Sequence, residues 1–363
     1  MEHREVVDVA VIGGGISGLA AARELVADGR STVVLEARDR LGGRLVAVDH
    51  LDLGASWFWP NERRVRSLVS ELGVEVHEQH LAGNARYHAP GGTQDIDGNP
   101  LDVPSFRFSR GADALARAVA RELPEGIVRL NSAVFSVELD GSLAVVSGPA
   151  VSLAARHVVL ALPPALAVHS IRFEPELDDE LVGLAEATPV WMGGVTKVVA
   201  RYADAFWRRN GWSGSAVSHV GPMRELHDMS GPDGVPAAIF GFVPAVRSGE
   251  LTVEHDAVVA QLVELFGPEA SSSESIEIRD WRREEFTSPP DVDCLTRYEL
   301  FGHPRYREPA LGGRLHWTST ETAPGFSGHI EGALAAAERT VRTLAASLDE
   351  RPPGTADPLS VAP

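Results

Sequence analysis

Residues 6 to 44 read VVDVAVIGGGISGLAAARELVADGRSTVVLEARDRLGGR, and three patterns succeed one another within them. Val6, Val7, Val9, Val11 and Ile12 form a β-branched run of the kind that fills a buried parallel strand. GGGISG follows at residues 13 to 18, and then an Ala- and Leu-rich helical pattern. In such a turn Gly13 permits the sharp bend, Gly15 lets the backbone approach a pyrophosphate, and Gly18 lets the helix lie close against the strand. Ile16 and Ser17 open the helix, whose free N–H groups and positive dipole face the phosphates. A second strand, Thr32 to Leu35, ends at Glu36, 18 residues past Gly18, where a carboxylate holds ribose hydroxyls. Strand, turn, helix and acid at these distances predict a Rossmann-type dinucleotide site.

The continuation, Glu36-Ala37-Arg38-Asp39-Arg40-Leu41-Gly42-Gly43-Arg44, narrows the ligand. A second glycine pair gives another backbone approach to the same molecule, and a fixed-charge Arg puts a cation beside it. The segment resembles the ExRxRxGGR stretch of the flavin-containing amine oxidase family. That resemblance implies FAD, with Glu36, Ala37, Arg38, Gly43 and Arg44 around it.

Composition sets the wider limits. With 44% hydrophobic and 23% charged residues in 363, the chain reads as globular and long enough for two domains with substantial cores. A net charge of -18 argues against nucleic acid, whose backbone it would repel, and mildly favours cationic substrates. The longest apolar run, VVLALPPALAV, is broken by Pro163 and Pro164, so no membrane span is expected. The first strand begins within six residues of Met1, leaving no room for a signal peptide, and a cytoplasmic protein is expected. Cys294 is the single cysteine, which excludes intrachain disulfides and multi-cysteine metal sites. The histidines form no HxxxH or HExxH pair, and no metal site is expected. Oligomeric state is not readable.

Among 33 basic residues every one is Arg except Lys197. Lys197 falls inside Met192-Gly-Gly-Val-Thr-Lys-Val-Val-Ala-Arg-Tyr202, which reads as a strand, so its side chain is expected to be partly buried. A buried ammonium loses its charge readily, which a guanidinium cannot do, and this points to a functional amine.

Elsewhere the family likeness continues in order. Leu51-Asp-Leu-Gly-Ala-Ser-Trp57 resembles the DLGxxW element, which implies that Gly54, Ala55, Ser56 and Trp57 pass close to the flavin. Asn61 to Leu72 reads as a helix closed by Gly73, and Arg110 to Leu123 as another stopped by Pro124. Between Gly73 and Gly111 only a short Gly- and Pro-containing connection is expected, where larger family members place a helical insertion that roofs the substrate cavity. A shortened roof implies a more open or partner-covered site. Val134 matches a valine at the adenine end of FAD. His157-Val-Val-Leu-Ala-Leu-Pro-Pro164 resembles the strand returning under the dinucleotide, and Ile171 to Leu177 with the Lys197 strand is expected to open the substrate domain. Ala237 to Val243 and Ile276 to Trp281 read as strands and Asp256 to Phe266 as an amphipathic helix. Trp281 matches a tryptophan that packs near the isoalloxazine.

Leu315-His-Trp-Thr-Ser-Thr-Glu-Thr-Ala-Pro-Gly-Phe-Ser-Gly-His-Ile-Glu-Gly-Ala-Leu334 is the second signature. A strand runs into a polar turn and then a long helix that aims its positive end forward. The resemblance puts the flavin's pyrimidine edge there, with Thr320, Glu321, His329 and Ile330 around it. His329 stands where many relatives carry an aromatic wall of the substrate cage, and Tyr298 is the candidate for the opposite wall. Cys294 lies near where some relatives attach flavin covalently, in different surroundings, so a buried structural thiol and non-covalent FAD are expected.

The fold class expected is α/β: an FAD-binding Rossmann-type domain from residues 1–76, 106–168 and 303–348, and an α+β substrate domain with a mixed sheet from 77–105 and 169–302. Residues 349–363 are expected to be a disordered tail. By resemblance the activity is FAD-dependent oxidation of an amine to an imine, with O2 as final acceptor, on something larger than a simple arylalkylamine. The catalytic candidates are Lys197, His329, Tyr298 and Trp281. The same fold also serves desaturases and renalase-like oxidases of reduced nicotinamides, and a non-enzymatic flavin-binding interaction protein is a further alternative.

Overall fold

The computed structural model describes residues 4–244 and 253–349. Its first sheet grows around Glu5–Ile12, whose second half, Val9 to Ile12, is buried on both faces. This strand pairs in parallel with Thr32–Leu35 on one side and Val151–Leu160 on the other, and Leu315–Trp317 joins Val151–Leu160, also in parallel. Register brings Ile12 level with Leu35 and Leu160, and Leu160 level with Trp317. Four strands therefore end along one line, the place where open α/β sheets bind ligands. Ile16–Ala27, Asp113–Arg121 and the final helix Ile330–Asp349 cover one face through Leu19, Leu115, Val119, Ala337 and Val341.

Seven strands make the second sheet, in the order Ser275–Asp280, Thr196–Tyr202, Ala237–Val243, Glu225–Asp228, Trp212–Ser218, Asn84–Ala89, Gly92–Ile96. It is mixed because Trp212–Ser218 runs parallel to Asn84–Ala89 while the other pairs are antiparallel. Alternation along Thr196–Tyr202 divides its side chains. Val198, Ala200 and Tyr202 pack in a core with the helix His255–Phe266, whereas Val199 meets Val46, Leu53, Phe240 and Trp281 on the opposite face. Lys197 shares the face of Val199, so it is turned toward the first sheet's loops.

Several expectations are corrected. The stretch between Gly73 and Gly111 is not a bare connection: it holds Asn84–Ala89 and Gly92–Ile96 at the edge of the second sheet, and Phe106–Phe108 in a small sheet with Trp57–Phe58 and Val76–Glu78. Asn84–Ala89 and Gly92–Ile96 are rich in polar residues and form no apolar run, Gly92–Ile96 being the edge strand, and Phe106–Phe108 is only three residues long. The crossing into the substrate unit at residue 169 is placed too early. Arg172–Glu174 pairs in parallel with Ser136–Asp140 in the first sheet, and Leu181 and Ala185 of the helix Asp179–Ala187 pack in that sheet's core. The Lys197 strand starts at Thr196, since residues 191–194 form a turn in which Met192 has φ of 59°. The final helix continues to Asp349, one residue into the segment expected as a tail, and residues 350–363 lie outside the described residues.

Candidate active site

A cavity of about 660 Å³ opens where the four parallel strands end. Gly13, Gly15, Ile16, Ser17, Glu36, Ala37, Arg38, Gly43 and Arg44 line it from the nucleotide side. Gly54, Ala55, Ser56, Trp57, Val134, Trp281, Thr320, His329, Ile330 and Lys197 line the remainder. Gly18 is not part of the lining: a Cβ there would stand 2.1 Å from the Gly13 carbonyl oxygen, so its place is helix-to-strand packing. Glu321 is also behind the wall, fully buried, and accepts two hydrogen bonds from the Arg44 guanidinium at 2.6 and 3.1 Å. It also accepts the Trp191 N–H at 3.3 Å, so it acts on the cavity through Arg44 and Trp191, which line it.

The nucleotide end fits FAD. A Cβ on Gly15 would meet no protein atom within 4 Å, which leaves bare backbone facing the cavity at the start of Ile16–Ala27. Glu36 is held rigidly, one oxygen accepting the Gly14 N–H at 2.7 Å and the other the Arg38 N–H at 2.9 Å. Arg38 donates to Thr287 Oγ1 at 2.8 Å and to the Phe286 carbonyl at 3.3 Å, so it also ties the loop after Trp281 to the nucleotide side.

At the other end Lys197 is 2% exposed. Its Nζ donates to the Gly54 carbonyl at 2.9 Å and to Ser56 Oγ, and it stands 4.2 Å from the Phe240 ring centroid. Burial lowers the ammonium to about 7; buried Asp52 pulls the other way and Arg107 adds to the lowering. Asp52 is itself pushed up to about 6 by burial, against the pull of Arg107 and Lys197, and accepts the Ala112 N–H at 2.7 Å and Arg107 Nη2 at 3.3 Å. Trp281 donates its indole N–H to the Leu53 carbonyl at 3.0 Å, bracing the Gly54 segment that Lys197 holds from the far side.

Cross-strand register puts Phe242 opposite Lys197 on one side and opposite Glu225 on the other. Lys197, Phe242 and Glu225 therefore form a row on one face, and all three line the cavity. Glu225 accepts from His227 Nε2 at 2.9 Å, and His227 Nδ1 donates to Asp102 at 2.7 Å. Burial disfavours the charged ring, but these two carboxylates outweigh it and raise His227 above its ordinary value. His329 lines the cavity with Trp59 and Trp191, their ring centroids 5.0 and 6.3 Å from its own.

The model of the family described as flavin containing amine oxidoreductase matches residues 16–108 and 104–345. The chain belongs to that family. A flavin-containing amine oxidase of Danio rerio is 28% identical over 456 aligned positions, covering 93% of this chain and 85% of the relative. Flavin-containing amine oxidase A of Bos taurus is 25% identical, with 94% and 85% covered. Among solved structures, a putrescine oxidase with putrescine bound superposes with a TM-score of 0.81 at 23% identity, covering 94% of this chain and 99% of the other. Cyclohexylamine oxidase from Brevibacterium oxydans IH-35A gives 0.81 at 22% identity, with the same coverage. As a flavin-containing amine oxidase, the protein is an α/β enzyme that oxidises an amine with FAD, and amine and O2 are its small-molecule partners. No helix among the described residues is long and apolar enough to cross a membrane.

In this amine oxidase two expected positions differ. Tyr298 does not line the cavity; it is 51% exposed and meets Trp191 edge-on at 6.1 Å, and the aromatic residues beside His329 on the cavity wall are Trp59 and Trp191. Cys294 is exposed rather than buried, because it ends a short turn, Val292–Cys294, that leaves the core after Val292. Sequence reading passed over Asp52, Glu62, Arg107, Trp191 and Glu225. Asp52 sits within the quoted DLG stretch, where a carboxylate amid apolar neighbours was the available signal; the other four gain their significance only from partners far along the chain.

Proposed function

We propose that the substrate is an amine larger than a simple arylalkylamine that carries a second positive charge. The row Lys197–Phe242–Glu225 supports this reading: strands lie about 4.8 Å apart, so the acid stands about 10 Å across the sheet from the lysine. The Asp102–His227–Glu225 chain carries one net negative charge when the ring is protonated, and Glu225 is its exposed end, 54% accessible. A cation there gains a partner without desolvating it fully. The likeness to a putrescine oxidase solved with a diamine bound agrees in kind.

FAD bound without a covalent link supplies the two-electron acceptor, held by the Gly13–Gly18 turn, Glu36, Val134, the Gly54–Trp57 segment and the start of the final helix. The reacting nitrogen needs its lone pair free, so the ammonium loses a proton before oxidation. His329 accepts that proton. Lys197, titrating near neutrality, moves a proton at Nζ during turnover while Gly54 and Ser56 fix its position. Trp57 and Trp281 exclude water beside it. The setting we propose is the cytoplasm, in keeping with a single unpaired cysteine.

A panel of monoamines and diamines, with peroxide detected, tests the substrate class. Diamines are expected to be turned over best, and Glu225→Gln to raise their KM about tenfold, equivalent to about 1.4 kcal/mol, while monoamines change less than about twofold. Preference for monoamines, or a KM for diamines that ignores the substitution, would reject the second-charge reading.

A further inference from the structure

His329 has a partner that its position in the sequence gives no hint of. Its Nδ1 lies 2.6 Å from Glu62 Oε1, and Glu62 is 1% exposed. The other carboxylate oxygen of Glu62 accepts the Trp59 backbone N–H at 3.0 Å. An ionised carboxylate only accepts, so the proton between the two residues belongs on Nδ1. The ring's Nε2 then carries the lone pair, and among the described residues it has no hydrogen-bond partner.

The backbone around the ring is equally constrained. The His329 carbonyl accepts from Thr320 Oγ1 at 2.9 Å, and its N–H donates to the Phe326 carbonyl at 3.0 Å. Trp59 packs on the imidazole at 5.0 Å with 36° between planes, and Phe326 meets it edge-on at 6.0 Å. Of the other charges nearby, Arg44 pairs with Glu321, Arg64 with Glu331 and Glu338, Arg66 donates to the Pro60 carbonyl at 3.0 Å, and Arg63 is exposed. Among the described residues His329 is the only ion-pair partner of Glu62.

We infer that Glu62 is the positioning residue of a carboxylate–imidazole pair in which His329 Nε2 takes a proton from the substrate ammonium. The inference rests on the reading of His329 as proton acceptor and adds how the ring is made ready for it. One N–H bond of the ammonium breaks, its electron pair stays on nitrogen, and the proton forms a new bond at Nε2. The resulting imidazolium keeps its Nδ1–H on Glu62 and its face toward Trp59, both of which favour the cation. His329 is 28% exposed, so the proton passes on to solvent.

The holoenzyme tests this with three variants, Glu62→Gln, Glu62→Asp and His329→Phe. Two readouts are used: the pH dependence of the limiting rate of flavin reduction at saturating amine, and the ¹⁵N shifts of the His329 ring, assigned by their loss in His329→Phe. In the wild type the ring is expected as the Nδ1–H tautomer, and the rate to rise with pH through one ionisation. Glu62→Gln keeps the shape but removes the charge. It is expected to bind FAD with an unchanged visible spectrum, lose about tenfold in rate, and move the rising limb about one pH unit lower. The amide also donates, so the ring is expected to lose its single tautomer. Glu62→Asp should bring the limb back toward the wild-type position, and it decides the matter if Glu62→Gln does not fold.

Rate, limb and tautomer all unchanged in Glu62→Gln, with the limb lost in His329→Phe, would reject the role of Glu62 and leave His329 as the acceptor. A limb that survives in His329→Phe would reject the acceptor itself, and the pair with it.

Discussion

Lys197 illustrates how one side chain is set by its surroundings. Its Nζ is enclosed by Gly54, Ser56 and the Phe240 ring, and burial lowers it from 10.5 to about 7. Below pH about 7 the folded protein bears the full cost of a buried ammonium. Between about 7 and 10.5 the unfolded chain binds the extra proton, so stability rises with pH across that window. Lys197→Met removes the group and the window together. Thermal melts are expected to show the variant exceeding the wild type by more at pH 6.5 than at pH 9.5, both above the value of about 6 for Asp52. An equal excess at the two pH values would mean that the amine stays charged when folded. The same variant is expected to keep FAD and to slow either flavin reduction or reaction with O2; unchanged rates in both halves would remove Lys197 from the chemistry. The lysine was readable because it is alone among arginines. Its pairing with Asp52 and Arg107 was not, since only folding brings residues 52, 107 and 197 together.

At the scale of elements, the glycine turn separates two requirements that its motif merges. A Cβ at Gly15 meets no protein atom within 4 Å, whereas one at Gly18 would stand 2.1 Å from the Gly13 carbonyl and 2.9 Å from Ala161 Cβ. Gly15→Ala is therefore expected to leave the melting temperature of the FAD-free protein unchanged while weakening FAD binding. Gly18→Ala is expected to destabilise the FAD-free protein itself by about 1–3 kcal/mol, by forcing helix and strand apart. Thermal melts of the apoprotein beside FAD titrations check both; a destabilised Gly15→Ala would mean that the turn is held by protein contacts. The central strands of the first sheet were evident because burial on both faces demands apolar runs, as in Val9 to Ile12. Asn84–Ala89 and Gly92–Ile96 form no apolar run because they carry Arg86, Tyr87, Gln94 and Asp95, and Gly92–Ile96 is the largely exposed edge of the sheet.

Across the whole molecule, the cofactor end and the substrate end are joined by residues distant in the chain: Arg38 with Thr287, Arg44 with Glu321, Lys197 with Gly54, and Glu62 with His329. The Danio rerio relative aligns over 456 positions against 363 residues here, so it carries stretches inside the matched span that this chain lacks. That difference and the exposure of Trp191, Tyr298 and Phe326 agree with the expectation of a more open or partner-covered site. Cys294 does not line the cavity, so acid precipitation is expected to release the yellow colour into the supernatant; colour retained on the pellet would establish a covalent link. By itself the sequence determined the nucleotide fold and singled out the central lysine, because glycines at fixed spacing and a lone amine are local facts, and its likeness to the family implied the cofactor. Which acid faces the substrate, which aromatic stands beside His329 and what holds that ring were decided only by tertiary structure. Each of these depends on a contact between segments separated by scores of residues, and no local pattern encodes such a distance.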